Sequence, residues 1–183
     1  VKVNDEELAG YKYDSEAQEW DGVPTINNFG TFNAKNVATN NGGAIYVTSS
    51  ARMYAVKTDF TGNSATSGGA VYSTNGNVDI NASTAKNNTV SSVGGFVAIY
   101  TNSTALLNAI DGENCSASSG GLVYVKNSDL ELYNSYIKNC NATTSGGATY
   151  VCADSTAKFY ATTFEGNTAE ANGGALALYN KGT

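Results

Sequence analysis

The chain has 183 residues, of which 41% are hydrophobic and 14% are charged, and its formal net charge is −6. This composition is too apolar and too poorly charged for a disordered chain, and the length suffices for one domain with a buried core. The acidic balance argues against nucleic acid as a partner, because binding to phosphates requires a basic surface. No apolar run is long enough for a membrane-spanning helix, so we expect no membrane insertion by this segment.

Residues 1–22 fit no repeat and contain seven of the sixteen acidic residues. They predict a polar N-terminal cap on the domain formed by residues 23–183, because repeat domains need polar ends to stay in solution. The alternative is an arm that docks on a neighbouring molecule. Within the domain, residues 23–41 are expected to form a degenerate first coil.

Glycine pairs recur through the rest of the chain at a nearly fixed spacing, which is 26 residues four times and 27 residues once. A fixed period in this range is the signature of a solenoid. We expect each pair to mark a corner where a side chain would clash or where φ must be positive. The pairs are Gly42-Gly43, Gly68-Gly69, Gly94-Gly95, Gly120-Gly121, Gly146-Gly147 and Gly173-Gly174.

Each glycine pair opens a β-rich phrase such as GGAIYV, and a second β-rich run follows after a polar turn. These runs alternate with period two, and no segment sustains the 3.6-residue period of a helix. The pattern predicts an all-β, right-handed parallel β-helix of about six 26-residue coils, each with two or three short strands. Inward positions should stack in columns, one of which is Ala44, Ala70, Phe96, Leu122, Ala148 and Ala175.

An asparagine precedes most glycine pairs by five or six residues, and Cys140 fills the matching place in the fifth repeat. Stacked asparagines can bond to one another along the axis, and asparagine also tolerates the left-handed geometry of a tight turn. We therefore predict a structural asparagine ladder. Its members are Asn36, Asn63, Asn88, Asn114 and Asn167.

Four tyrosines recur at one coil position, namely Tyr46, Tyr72, Tyr124 and Tyr150. Such a column can hold a sheet together by stacking, or it can serve as a binding strip for sugars or a protein. Both interpretations stay open.

Three cysteines are present. Cys115 and Cys140 are 25 residues apart, which places them on neighbouring coils, and we predict either a disulfide between them or two free buried thiols. Cys152 is expected to pack as a small apolar group. No cysteine or histidine spacing indicates a metal site.

Five N-glycosylation sequons occur. In a source that glycosylates secreted proteins, the predicted acceptors are Asn81, Asn87, Asn102 and Asn141. The sequon at Asn114 is expected to be masked, because this residue belongs to the predicted ladder.

The chain contains no histidine, which excludes Ser-His-Asp and Cys-His catalysis. The richest acidic pair, Asp111 and Glu113, offers too few ligands for a calcium loop, and Arg52 is far from it along the chain. We therefore predict a protein that is not an enzyme and that uses no cofactor and no metal. A polysaccharide lyase or hydrolase stays open as an alternative, since such enzymes also use this fold.

The phrases GGAI, GGAV and GGAL, together with FTGN at residues 60–63 and FEGN at residues 164–167, resemble the GGA(I/L/V) and FxxN motifs of polymorphic outer-membrane proteins. The resemblance covers roughly residues 32–183. It implies a β-helical passenger or ectodomain with a role in adhesion.

These observations predict an extracellular or cell-surface structural module that binds a protein or a glycan. The first alternative is a subunit of a filament, in which molecules join through their open coil ends. The last repeat is cut short at Thr183, so we expect the natural chain to be longer.

Overall fold

The computed structural model describes residues 13–14, 19–20, 25–28, 30–32 and 35–179. Two short strands, β1 (Tyr13–Asp14) and β2 (Glu19–Trp20), form an antiparallel pair in the N-terminal region. The rest of the predicted cap or arm lies outside the described residues. Among the described residues there is no helix, and hence none that could cross a membrane.

The described chain is built from short strands, and from β3 onward each strand pairs in parallel with its equivalent on the neighbouring coil. A complete coil contains four strands, more than the two or three expected. In chain order the strands are β1 Tyr13–Asp14, β2 Glu19–Trp20, β3 Thr25–Asn28, β4 Ile45–Thr48, β5 Arg52–Val56, β6 Asp59–Thr61, β7 Ser64–Ser67, β8 Val71–Thr74, β9 Asn77–Asn81, β10 Thr84–Lys86, β11 Thr89–Val93, β12 Val97–Tyr100, β13 Thr104–Asn108, β14 Asp111–Glu113, β15 Ser116–Ser119, β16 Val123–Lys126, β17 Asp129–Tyr133, β18 Tyr136–Lys138, β19 Asn141–Ser145, β20 Thr149–Cys152, β21 Thr156–Tyr160, β22 Thr163–Glu165, β23 Thr168–Ala169 and β24 Leu176–Tyr179.

Four parallel sheets form the sides of the solenoid. The tyrosine sheet contains β4, β8, β12, β16, β20 and β24, and the groove sheet contains β3, β5, β9, β13, β17 and β21. The ion-pair sheet contains β6, β10, β14, β18 and β22, and the fourth sheet contains β7, β11, β15, β19 and β23.

The predicted parallel β-solenoid is confirmed, but it has about five complete coils rather than six. Two of the four sheets have only five strands, because the first winding contributes isolated bridges there instead of strands. Thr31, Val37 and Asn41 each make one such bridge to the following coil. The right-handed sense of the winding stays a prediction.

The two glycines of each pair have different roles. The first, such as Gly120, has a positive φ of 63°, and an added Cβ would overlap the carbonyl oxygen of Val123. The second, such as Gly121, passes so close to the next coil that an added Cβ would overlap the carbonyl oxygen of Gly147. A positive φ alone does not require glycine in this chain, because Ala82 adopts a φ of 48°. Both expected reasons for the glycines therefore apply, and close contact is the stricter one.

Large and small side chains alternate in the interior. Phe96 is fully buried. On the ion-pair sheet, the inward position of the same coil is Gly112, which has no side chain and pairs with Ala85 on the preceding coil. A Cβ on Gly112 would lie 3.0 Å from Leu122 Cδ1 and 2.9 Å from Ile137 Cδ1. The predicted alanine column runs past Phe96 as expected, since Ala70 N donates to Phe96 O at 3.0 Å. Neighbouring coils thus fill one another's space at the density of an ordinary protein core.

Among the described residues, the buried hydroxyl of Thr149 lacks a hydrogen-bond partner. Thr149 is fully buried and its Oγ1 accepts and donates no hydrogen bond, whereas Val123 and Val97 occupy the equivalent positions on earlier coils. Replacing Thr149 with valine should raise the free energy of unfolding by about 1 kcal/mol, because an unsatisfied buried hydroxyl is removed without a change of shape. Urea denaturation checks this, with the exposed Thr143→Val as control. Equal effects at both positions would contradict the explanation.

Candidate functional site

The asparagine ladder runs inside the corner before the fourth sheet. Asn88 Oδ1 accepts from the backbone N–H of Asn63 at 2.9 Å and from the Asn63 side-chain amide at 3.0 Å. The Asn88 amide donates to Phe60 O at 2.8 Å. Asn36 likewise donates its amide to Asn63 Oδ1 at 2.8 Å. Each asparagine therefore satisfies backbone groups of the coil before it.

Asn114 is not a member of this ladder, and the prediction that included it is wrong. Asn114 is exposed, has a φ of 55°, and lies in the turn one residue before the ladder position. Cys115 occupies the ladder position, where Asn88 Nδ2 lies 3.8 Å from its sulfur. The expectation that the Asn114 sequon is masked is therefore also wrong, since Asn114 is exposed.

The predicted disulfide between Cys115 and Cys140 is not formed, and both are free buried thiols. Equivalent positions on neighbouring parallel strands are about 4.8 Å apart, whereas disulfide-bonded Cβ atoms lie closer, at about 3.8 Å. The thiols instead act as ladder members. Cys115 Sγ donates to Ala85 O at 3.3 Å, and Cys140 N donates to Asn167 Oδ1 at 2.9 Å.

The buried thiol of Cys115 should be unreactive in the folded protein. Burial raises the pKa of Cys115, so the reactive thiolate is scarce at neutral and mildly alkaline pH. We expect iodoacetamide at pH 8 to modify Cys115 only when urea unfolds the chain, as measured by mass spectrometry of tryptic peptides. A cysteine introduced at exposed Asn102 is the control, and it should react without urea. Equal labelling of both in the native state would contradict this placement.

Serine ladders at the other corners were missed by the sequence analysis. Ser135 Oγ accepts from Ile110 N at 2.9 Å, and Ser83 Oγ accepts from Thr58 N at 3.0 Å. A second series includes Ser128, whose Oγ accepts from Ser103 N at 3.2 Å. The sequence signal was weak, because Ile110 interrupts the first series and, of these serines, only Ser103 and Ser128 are 25 residues apart, in a chain where serine is common.

The four predicted tyrosines lie in one stacked column on the outside of the tyrosine sheet. The ring centroids of Tyr46 and Tyr72 are 5.4 Å apart with 2° between ring planes, and those of Tyr124 and Tyr150 are 5.5 Å apart. Tyr100 completes the column, with centroids 5.3 Å from Tyr72 and 5.4 Å from Tyr124. The ring faces are therefore covered by other rings, which favours stacking as the role of the column.

Tyr100 was missed because it belongs to a different strand position. Ala98 pairs with Tyr72 and Tyr124, and Tyr100, two residues further on the same side of β12, fills the gap above Ala98. The last coil has the same substitution pattern, with Ala177 opposite Tyr150 and Tyr179 two residues later. Burial raises the pKa of Tyr100 to about 12, so its hydroxyl stays protonated.

The acidic pair considered for chemistry lies in an ion-pair network. Lys86 Nζ is 2.6 Å from Asp111 Oδ2, and Lys138 Nζ is 3.4 Å from Glu113 Oε1. Tyr136 also donates to Glu165 on the same sheet. The carboxylates of Asp111 and Glu113 are thus already paired with lysines. The described residues contain no group of three or more side chains that could hold a metal ion.

A groove of about 790 Å³ crosses the outside of the groove sheet. One column of its outward side chains runs through Asp79, Leu106, Glu131 and Lys158, which pair in register on successive strands. The parallel column next to it contains Asn77, Thr104 and Asp129. No sequence signal marked this groove, because it depends on which residues of five separate coils become neighbours.

The groove contains both compensated and uncompensated charges. Lys158 Nζ is 2.8 Å from Glu131 Oε1, and this contact, with a hydrogen bond from Tyr133, lowers the pKa of Glu131. Burial raises the pKa of the Asp79 carboxyl. Within the described part of the chain, no hydrogen bond or ion pair reaches the carboxylates of Asp79 and Asp129. With Arg52 and Lys158 against three carboxylates, the lining has a net charge of −1 beside the exposed apolar side chain of Leu106.

The predicted glycosylation acceptors lie on the outside. Asn87, Asn102 and Asn141 are exposed, and Asn81 is half-buried where Asn108 donates to its Oδ1 at 3.3 Å. Their glycosylation stays a prediction.

Fold and surface together define a parallel β-solenoid with an open groove on one side. Residues 34–48, 57–74 and 161–179 each match the family model of the Chlamydia polymorphic membrane protein repeat. The matches are consistent with a polymorphic outer-membrane protein family. Each matched segment contains a ladder asparagine and the glycine pair that follows it. The comparisons with curated proteins and with solved structures gave no match.

Proposed function

We propose that this chain is a non-catalytic adhesive module at the cell surface, where its groove binds a protein or a glycan. The observation that carries the proposal is the groove itself, a depression across the strands of a regular parallel solenoid. Its floor is a hydrogen-bonded sheet whose backbone is fixed by pairing on both sides, so the backbone of the surface is in place before a ligand arrives.

The repeat matches support a surface location, since the matched family is one of membrane proteins. The ion pairs of Asp111 and Glu113 support a non-catalytic role, because a general acid or base needs a carboxylate that is free to exchange a proton with substrate.

Adhesion by a bead assay tests the proposal. Beads coated with the full chain should adhere to host-type epithelial cells or to a glycan array above beads coated with albumin. Thr104→Arg places a bulky side chain in the groove and should lower retention at least tenfold. The control is Thr143→Arg, at an exposed position on the fourth sheet. No adhesion above albumin, or equal loss in both variants, would overturn the proposal.

A second candidate function is end-to-end assembly into a filament. Within the described residues, strands β21, β22, β23 and β24 are the last strands of their sheets, and Leu178 on β24 is 74% exposed. Unpaired strand edges with apolar side chains are templates for further pairing. Electron microscopy of concentrated protein should then show filaments that Leu178→Lys abolishes. Monomers alone at high concentration would contradict assembly.

A further inference from the structure

We propose that the groove binds a basic extended segment of a partner protein, with one lysine or arginine at Asp79, its alkyl stem on Leu106, and a second basic side chain at Asp129. This inference rests on the proposed adhesive function and names the chemistry of its ligand.

The register of the groove sheet places the two aspartates on opposite sides of β13. Leu106 pairs with Asp79 on the preceding strand and with Glu131 on the following one. Thr104, two residues earlier on the same outward side of β13, pairs with Asp129. Asp79 and Asp129 are therefore two strand spacings and two residues apart, or roughly 12 Å between Cα atoms, so they would hold two basic side chains of one extended segment rather than a single cation.

The exposed apolar surface at this point is contributed by Leu106, which is 39% exposed. An exposed leucine between carboxylates does not suit a wholly polar ligand, because such a ligand offers no apolar surface to cover the leucine side chain. It also does not suit an apolar ligand, because the carboxylates would lose water without a partner. An alkyl chain that ends in a cation matches both features, as lysine and arginine stems do on protein surfaces.

Charge complementarity specifies the sign of the ligand. Glu131 is opposed by Lys158, and the other cation of the lining, Arg52, lies at the β5 end of the groove. The lining keeps a net charge of −1, with Asp79 and Asp129 as the carboxylates that no lysine contacts. The Asp79 carboxylate is partly desolvated in the groove, which raises its pKa. A bound cation would stabilise the charged carboxylate in place of the water that burial removes.

The length of the groove favours a protein segment over an isolated cation. It crosses from β5 to β21, which are four strand spacings apart, or roughly 19 Å. An extended peptide rises about 3.3 Å per residue, so about six residues fit along it. Alternate side chains of such a segment would face the groove.

Fluorescence anisotropy with the full chain tests the inference, using a labelled heptapeptide of alternating serine and lysine at low salt. One comparison peptide has acetylated lysines, which keep the stem and lose the charge. Another has 2,3-diaminopropionic acid, which keeps the charge and loses most of the stem. We expect the lysine peptide to bind at least tenfold more tightly than either. Equal binding by either comparison peptide, or no binding by the lysine peptide, would overturn the inference.

Variants locate the site. The double variant Asp79→Asn and Asp129→Asn, and separately Leu106→Ser, should each weaken binding at least fivefold. The control is Asp154→Asn, which removes an exposed carboxylate outside the groove. Equal weakening by the control would show nonspecific attraction and sink the inference. Bead adhesion that is sensitive to Thr104→Arg, without peptide binding, would leave the adhesive function standing and refute only the basic ligand.

Discussion

Replacing Gly121 with alanine is expected to lower the free energy of unfolding by about 3 kcal/mol or more, enough to prevent folding of a marginal domain. The added Cβ would overlap the carbonyl oxygen of Gly147 and lie 2.6 Å from that of Asn141. Both atoms are backbone of the next coil, so no flexible side chain can move away. Relief requires the coils to separate, which weakens hydrogen bonds such as Gly121 N to Gly146 O. Urea denaturation followed by circular dichroism measures the loss.

Two controls separate close contact from backbone conformation. Gly174 is the equivalent glycine on the last described coil, and its added Cβ would meet only Asn167 O, at 3.1 Å. Gly174→Ala should therefore cost much less than Gly121→Ala. Gly62 has a φ of 71° but no tight contact, and Asn87 occupies the equivalent turn position, so Gly62→Asn should change stability little. Equal losses at Gly121 and Gly174 would contradict the packing argument.

Replacing Asn88 with valine is the other substitution expected to have a large effect, again about 3 kcal/mol or more. Asn88 Oδ1 accepts two hydrogen bonds from Asn63, and its amide donates to Phe60 O. Valine leaves these groups buried without partners, and each unsatisfied buried group costs about 1–3 kcal/mol. Asn63 and Asn88 are both fully buried, so water cannot replace the lost bonds. The same urea titration measures the change.

The control for Asn88 is the residue that the sequence pattern had placed in the ladder. Asn114→Gly removes an exposed amide at a turn with positive φ, which glycine adopts freely, so stability should stay within about 0.5 kcal/mol. A loss at Asn114 as large as that at Asn88 would restore Asn114 to the ladder and refute the assignment of Cys115.

The solenoid was predictable because the glycine pairs leave no alternative residue at two successive positions of every coil. The ladder was predictable only in part. Strands β11 and β19 have five residues where β7 and β15 have four, and the register shifts within these pairings. The ladder therefore precedes the glycine pair by five or six residues in different coils. Asn114 and Cys115 both satisfy that spacing, and the sequence alone favoured the more familiar amide.

The surfaces were less predictable than the backbone, for a physical reason. Column membership on the outside depends on side-chain reach as well as on strand position, which is why Tyr100 escaped notice beside Ala98. The groove depends on four strands per coil, whereas the sequence suggested two or three. Inward positions are constrained by packing, so similar residues recur there in the sequence. Outward positions such as Leu106 and Asp129 differ from coil to coil.

The contacts of Gly112 with Leu122 and Ile137 of the next winding mean that the windings are not interchangeable, although their backbones are nearly equivalent. Mis-threading by one full winding would still offer parallel backbone pairing. It would set Leu122 and Ile137 against a position of different volume and leave a void beside Gly112. Differences in side-chain volume thus determine which windings pack next to each other during folding. Windings with identical side chains would not distinguish the correct order from a shifted one.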